Sequence, residues 1–248
     1  MLQNTPSPAN ATPLPMPSDL QNEVLRALSP EEAQRLMERG SRVELEFART
    51  LYEAGDQVEW VYFPEGAIIS MIVATTDGRT AESGMVGSEG VLGLIEACGS
   101  GLTTFRSVVQ VNGPAWRVPA AACRTLADES AAFRRAVWAQ LEFQLAESRQ
   151  SATCRSFHAV EQRLARWLLE TRDRDSTQES LPMTQEFMSA MLGVQRTTVT
   201  AFARELQGRG LIEYSRGKVR FIDPDGLEAL ACECRQVLVR ERERLVRR

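Results

Sequence analysis

Residues 181–222 read LPMTQEFMSAMLGVQRTTVTAFARELQGRGLIEYSRGKVRFI, and this stretch decides the fold. Thr184 stands where a helix needs an N-cap acceptor, ahead of Gln185–Leu192, which offers Phe187, Met188 and Met191 to a core. Gly193 follows, and glycine accepts the left-handed conformation that a sharp exit from a helix requires. Gln195–Gln207 predicts a second helix with Val199, Phe202, Ala203 and Leu206 on its inner side. The remaining side shows Gln195, Arg196, Thr197, Thr200, Ala201 and Arg204, groups that are small or form hydrogen bonds. Two short helices around a glycine turn read as a helix-turn-helix. Leu211–Tyr214 and Val219–Ile222 predict two strands joined by Ser215-Arg216-Gly217-Lys218, a basic tip placed to meet phosphate. The whole is a winged helix-turn-helix.

Working back towards the N-terminus, Asp173–Ser180 is a polar connector and His158–Thr171 a helix with Val160, Leu164, Trp167 and Leu168 inward. Before it, a stretch without Gly or Pro predicts a long helix from Ala120 or Ser130 to Arg155. Its apolar stripe is Phe133, Val137, Leu141, Leu145, Ser148 and Ala152, with Trp138 beside it. Steps of three and four keep one face apolar, and a helix of this length between two domains reads as the seam of a homodimer. Between Val43 and Pro119 the texture changes to short runs rich in Val, Ile, Phe and Tyr, broken by Ala54-Gly55-Asp56, Pro64-Glu65-Gly66, Thr76-Asp77-Gly78 and Asn112-Gly113-Pro114. Val58–Phe63 and Ala67–Ala74 are the clearest strands, and the spacing predicts an antiparallel barrel or roll. Ser29-Pro30-Glu31-Glu32 starts a helix within Leu20–Gly40. Residues 1–18 hold five of the eleven prolines and read as a disordered tail.

The fold class is therefore α+β: an N-terminal antiparallel β-roll or jelly-roll-like barrel, a long dimerisation helix and a C-terminal winged helix-turn-helix. The boundaries fall at 1–18 for the tail, 19–129 for the sensor barrel, 130–157 for the helix and hinge, and 158–248 for the DNA-binding domain.

Composition narrows the function. The net charge of −4 is unevenly spread. Residues 1–155 carry 13 basic and 19 acidic groups, a balance of −6, whereas Thr184–Arg220 carries six against three, a balance of +3. Lys218 is the only lysine among 29 basic residues, so amine chemistry is nearly excluded. No charged n-region precedes an apolar core, and no apolar run approaches the ~20 residues of a membrane span, so a cytoplasmic location is expected. With one His, no phosphate-binding G-x-x-x-x-G-K-[ST] loop and no paired-carboxylate motif, no catalytic residue is assigned.

Cys98, Cys123 and Cys154 are too far apart in sequence to read as a metal motif. Cys232 and Cys234, two apart, fall on different sides of a helix, so small semi-buried thiols are expected, with a redox switch as the alternative, and no metal site. His158 opens the helix after the hinge and is not read as a haem ligand. The charged Arg235–Arg248 stretch reads as a solvated end.

On three stretches the chain resembles the Crp/Fnr superfamily of bacterial transcription regulators: Leu51–Ile72 (LYEAGDQVEWVYFPEGAIISMI), the barrel–long helix–second helix order, and Thr184–Phe221. The resemblance covers Leu20 to about Leu230. It implies a homodimer built along the long helix, double-stranded DNA and RNA polymerase as partners, and a second helix entering the major groove. Arg196 falls at a base-reading position, while Thr184 and Thr198 match positions that touch phosphate. Gln195, Thr197, Thr200, Arg204, Arg216 and Lys218 complete the expected DNA face. Thr197 stands where many members have Glu and Ala201 where many have Arg, so the operator differs from the family's best-known one.

The effector pocket would be formed by Val91, Leu92, Gly93, Thr103 and Thr104. Val91 replaces the ribose-binding Glu of cyclic-nucleotide binders and Thr103-Thr104 replace their Arg-Ser pair, which removes the charge-assisted bond to a cyclic phosphate. Cyclic AMP is not expected as a ligand. The absence of Cys before Cys98 argues against the family's N-terminal iron–sulfur cluster. No cofactor is assigned, and an unknown small-molecule effector remains open. The alternative is a ligand-binding signalling module acting through protein contacts.

Overall fold

The computed structural model describes residues 20–174 and 180–246, with side chains described to Arg244. The expected proline-rich tail, most of the connector and the last two residues lie outside that range.

Helices α1 (Glu23–Arg26) and α2 (Pro30–Arg39) open the fold. The Ser29 hydroxyl accepts from the Glu32 N–H at 3.3 Å and the Ser29 N–H donates to the Glu32 carboxylate at 3.1 Å, a reciprocal capping box with Pro30 in first position. Seven strands follow: β1 (Ser41–Leu45), β2 (Thr50–Tyr52), β3 (Trp60–Pro64), β4 (Ile68–Ala74), β5 (Thr80–Val86), β6 (Arg106–Val111) and β7 (Gly113–Pro119). The short helix α3 (Leu94–Cys98) lies between β5 and β6. The strands form two antiparallel sheets, β1-β7-β3 and β2-β6-β4-β5, wrapped around Phe63, Ile69, Leu92, Val109 and Val118. This is the expected roll.

Of the two expected starts for the long helix, Ser130 is the one observed, and a separate helix precedes it. Helix α4 (Ala120–Glu129) ends at Ser130, whose extended backbone breaks the helix and whose hydroxyl caps α5 (Ala131–Phe157) by accepting from Phe133 N–H at 3.0 Å. This break reassigns the first member of the expected seam. Phe133 is fully buried in the core of the roll, and Val137 packs partly against it. This part of the stripe therefore packs against the roll of its own chain. Beyond them the helix opens: Trp138 is 62% exposed and Leu145 45%, with Leu141 half-buried and Ser148 and Ala152 exposed.

Helix α6 (Val160–Arg174) lies across the outer face of the four-stranded sheet. Strand β8 (Ser180–Pro182), helices α7 (Gln185–Leu192) and α8 (Arg196–Gly208), and strands β9 (Ile212–Ser215) and β10 (Lys218–Phe221) build the winged unit, with sheet order β8-β10-β9. Ile68, Ile72, Met85, Val108 and Val111 of the sheet share one hydrophobic core with Leu164, Leu168, Met188, Met191 and Val199 of the helices. Helices α9 (Pro224–Leu230) and α10 (Cys234–Val246) close the chain. The C-terminal charged stretch is not a free end: α10 packs along α5, and Arg242 pairs with Glu23 of α1. No helix among the described residues is long and apolar enough to cross a membrane.

Candidate nucleic-acid interface

The helix-turn-helix is built by local chemistry. The Thr184 hydroxyl accepts the Phe187 N–H at 3.1 Å, and Gly193 sits at φ 66° with its N–H donating to the Ser189 carbonyl. A side chain is disfavoured there by the left-handed backbone and by Ala81 of the roll, 3.3 Å from where a Cβ would stand. Val199, Ala203 and Leu206 bury the inner face of α8, and Phe202 is half-buried.

The outer face stays open. Gln195, Arg196, Thr197, Ala201 and Arg204 are exposed, and Thr198 is half-buried. Neither Arg196 nor Arg204 is tied into an ion pair among the described residues. The Thr200 hydroxyl is turned inward instead: it lies 2.7 Å from Gln185 Oε1 and 2.9 Å from the Arg196 carbonyl, bracing the two helices together. Its single proton is spent inside the motif.

The wing tip turns on Arg216 and Gly217, at φ 50° and 74°, the two positive values that suit a two-residue hairpin with right-handed strand twist. Arg216 pays steric strain for that position and is exposed, as is Lys218. Met183 N–H donates to the Gly217 carbonyl at 2.7 Å, which ties the tip to the strand leading into Thr184. Thr184, the N-terminal half of α8 and the basic wing are thus held in one unit. By contrast, Arg220 is neutralised by Glu213 and Arg209 by Glu161.

The five positions expected to form an effector pocket behave otherwise. Val91 and Leu92 are fully buried in the core of the roll, and Leu92 exchanges backbone hydrogen bonds with Tyr62 at 2.9 and 3.0 Å. Gly93 at φ 80° caps α3. Thr103 is buried with its hydroxyl donating to the Phe105 carbonyl at 2.9 Å, while Thr104 is exposed. The side chains of Val91, Leu92 and Thr103 are committed to packing and turn formation, so they do not present a ligand-binding surface.

Sequence reading missed a buried polar seam between the roll and helices α5 and α6. Trp167 Nε1 donates to Glu82 at 2.6 Å, and Gln110 Nε2 donates to the Thr171 hydroxyl at 2.9 Å. Arg174 binds Glu89 at 2.7 Å and Glu147 at 3.2 Å, all three nearly fully buried. Arg155 donates to the Glu82 carbonyl. Burial, reinforced by neighbouring carboxylates, pushes Glu82 up to about 7 and Glu147 up to about 8. Burial is the largest influence on Glu89 and pushes it up, but Arg174, Arg242 and hydrogen bonding together outweigh it and the net shift is downward.

The described residues thus define a winged helix-turn-helix seated on a β-roll with a long helix between them. Residues 162–230 match the Crp-like helix-turn-helix domain, and the chain has the fold of the Crp/Fnr-family regulators. FixK2 from Bradyrhizobium japonicum superposes with a TM-score of 0.66 at 17% identity, over 78% of this chain and 98% of that one. A CRP/FNR-family transcriptional regulator from Thermus thermophilus gives 0.64 at 20%, over 77% and 98%. The c-di-GMP-responsive global regulator CLP from Xanthomonas campestris gives 0.62 at 17%, over 78% and 99%. No curated protein matches the chain.

Proposed function

We propose that the chain is a sequence-specific, non-enzymatic DNA-binding transcription regulator of the Crp/Fnr type. The observation that carries this reading is the open face of α8 beside the wing: Arg196, Thr197 and Arg204 stand exposed next to Arg216 and Lys218, while the opposite face of the same helix is buried. The guanidinium of Arg196 is free to fork onto guanine O6 and N7 in the major groove. In this reading Thr184, Gln195 and Thr198 would contact the phosphate backbone beside the groove, and Arg216 and Lys218 would meet phosphate from the wing.

Two such units, joined along Trp138, Leu141, Leu145, Ser148 and Ala152 of α5, would read a roughly palindromic site with half-sites ~34 Å apart. The cytoplasm, where DNA and RNA polymerase are found, is the compartment this activity requires. An effector, if one acts, would bias the junction near Ser156–His158 as a population shift. Cyclic AMP is a poor candidate because no arginine stands at Thr103-Thr104 to hold its phosphate; micromolar binding in a calorimetric titration would overturn that.

Selection of bound sites from random DNA, with and without cell extract, tests the reading directly. On the selected site, Arg196→Ala is expected to cost about 1–3 kcal/mol and relax preference at its base pair. Lys218→Ala is expected to weaken all sequences alike and reduce the salt slope by about one. Unchanged mobility-shift binding by the arginine variant would displace α8 from the groove. The other reading, a signalling module acting through protein contacts, would gain if no DNA bound at any salt concentration.

A further inference from the structure

Three cysteines and the one histidine meet at the end of the long helix. The ligand atoms of Cys154, His158, Cys232 and Cys234 all lie within 4.8 Å of one another. Cys154 Sγ is 3.5 Å from Cys232 Sγ, and Cys234 Sγ is 3.4 Å from His158 Nδ1. The three cysteines are buried and His158 is largely so. The geometry points to a structural zinc site with a Cys3His donor set.

The chemistry of the donors selects the ion. Thiolate and imidazole suit a borderline-soft divalent metal, and a closed set of four protein ligands is the structural zinc arrangement. Zn–S bonds of about 2.3 Å place tetrahedral sulfurs about 3.8 Å apart. The Cys154–Cys232 Sγ···Sγ contact of 3.5 Å lies just below that spacing, and all four ligand atoms stay within 4.8 Å of one another. Small side-chain adjustments suffice.

The surroundings fit as well. His158 turns Nδ1 towards the sulfurs and Nε2 towards the Glu233 carboxylate, 3.2 Å away. A metal-bound imidazole characteristically donates its other N–H to a carboxylate, which fixes its orientation. Gln150 Nε2 donates to Cys234 Sγ at 3.0 Å. A zinc ion with three thiolates and neutral imidazole carries one net negative charge. Buried Arg166 lies within electrostatic reach of all three sulfurs, and its Nε has no hydrogen-bond partner. Binding is balanced by the release of three thiol protons to solvent, with no change of oxidation state.

The placement explains why two of these cysteines can cooperate. Cys232 lies in the link after α9 and Cys234 is the first residue of α10, so they are not two positions of one helix and both can face inward. Cys154 and His158 are four apart at the C-terminal end of α5, on one face. The ion would therefore staple α10 to the point where the long helix gives way to the winged unit.

The test uses the full chain purified under a non-chelating reductant and reconstituted with zinc alone. Elemental analysis is expected to find one zinc per chain, and cobalt substitution the intense visible bands of a tetrahedral thiolate site. Cys154→Ser and Cys232→Ser are expected to lose the metal, while Cys98→Ser and Cys123→Ser keep it. Should the ligand variants fail to fold, Glu233→Gln, at an exposed carboxylate, is expected to weaken affinity roughly 10–100-fold. Absence of stoichiometric zinc, full zinc retention in both ligand variants, an iron–sulfur chromophore, or a Cys154–Cys232 disulfide in the reduced preparation would each overturn the assignment.

Discussion

Replacing Arg174 by Met is expected to cost about 3–5 kcal/mol of folding stability, the range seen when one partner of a buried ion pair is removed. The guanidinium holds Glu89 of the roll and Glu147 of α5 at once, and none of the three is more than 9% exposed. Methionine fills the volume but leaves two carboxylates in a buried seam that already contains Glu82 and Glu170. Urea unfolding at fixed protein concentration measures the loss. A midpoint unchanged from the parent near neutral pH would refute the charge account.

The seam also sets a pH dependence with a definite sign. Glu82 and Glu147 have values of about 7 and about 8 in the folded protein, above their ordinary 4.5. Folding therefore takes up protons, and the stability these two groups contribute is fully present below 4.5 and lost as pH rises to about 8. Glu89 acts in the opposite sense, its contribution fading as pH falls through its lowered value. The parent is expected to unfold at higher urea at about pH 5 than at about pH 8. The penalty of Arg174→Met should shrink over the same descent, because protonation discharges the orphaned acids.

Leu145→Glu is expected to turn the protein into a monomer at micromolar concentration and lower affinity for a palindromic site by roughly 10²–10⁴, the avidity of a linked second half-site. Leu145 is 45% exposed in the middle of α5, on the open stripe that runs from Trp138 to Ala152 at steps of three and four. A carboxylate in a packed helix seam is left without a partner, whereas in the separate subunit it meets water. Phe133→Ala supplies the contrast. Its ring is fully buried in the roll, so it is expected to cost about 3–5 kcal/mol of stability while leaving the oligomeric state alone. Light scattering with the mobility shift reads both. A dimeric Leu145→Glu protein would place the subunit contact elsewhere.

These contrasts show where sequence is informative. The helix-turn-helix was legible because its signals are local: a cap at Thr184, a left-handed glycine nine residues later, and an inner face of Val199, Ala203 and Leu206. The stripe on α5 was equally visible, but periodicity says only that a face is covered. It does not say which body covers it, so Phe133 and Trp138 looked alike. Register with the family the chain resembles points to Val91 and Leu92 as pocket positions, but both are apolar and close into the core instead. Glu82, Glu147 and Arg174 carry no local signal of pairing; they are brought together only where α6 crosses the sheet. The cysteine–histidine cluster joins residues 78 positions apart. Its local traces were two short spacings, Cys154 to His158 and Cys232 to Cys234, and neither shows that the two pairs meet.

The core shared by the four-stranded sheet and helices α6 to α8 has a mechanical consequence. Ile68, Ile72, Met85 and Val108 lie under Leu164, Leu168 and Met191 with no solvent layer between them. A chain cut after His158 would yield two pieces, each with a sticky apolar face, so neither half is a good expression unit. Motion of the winged unit is equally constrained: swinging away on a flexible joint would wet that whole contact. The inexpensive movement is shear, a short slide of interlocked side chains to the next comfortable packing. A signal crossing this molecule would thus arrive at the wing as a click between discrete positions.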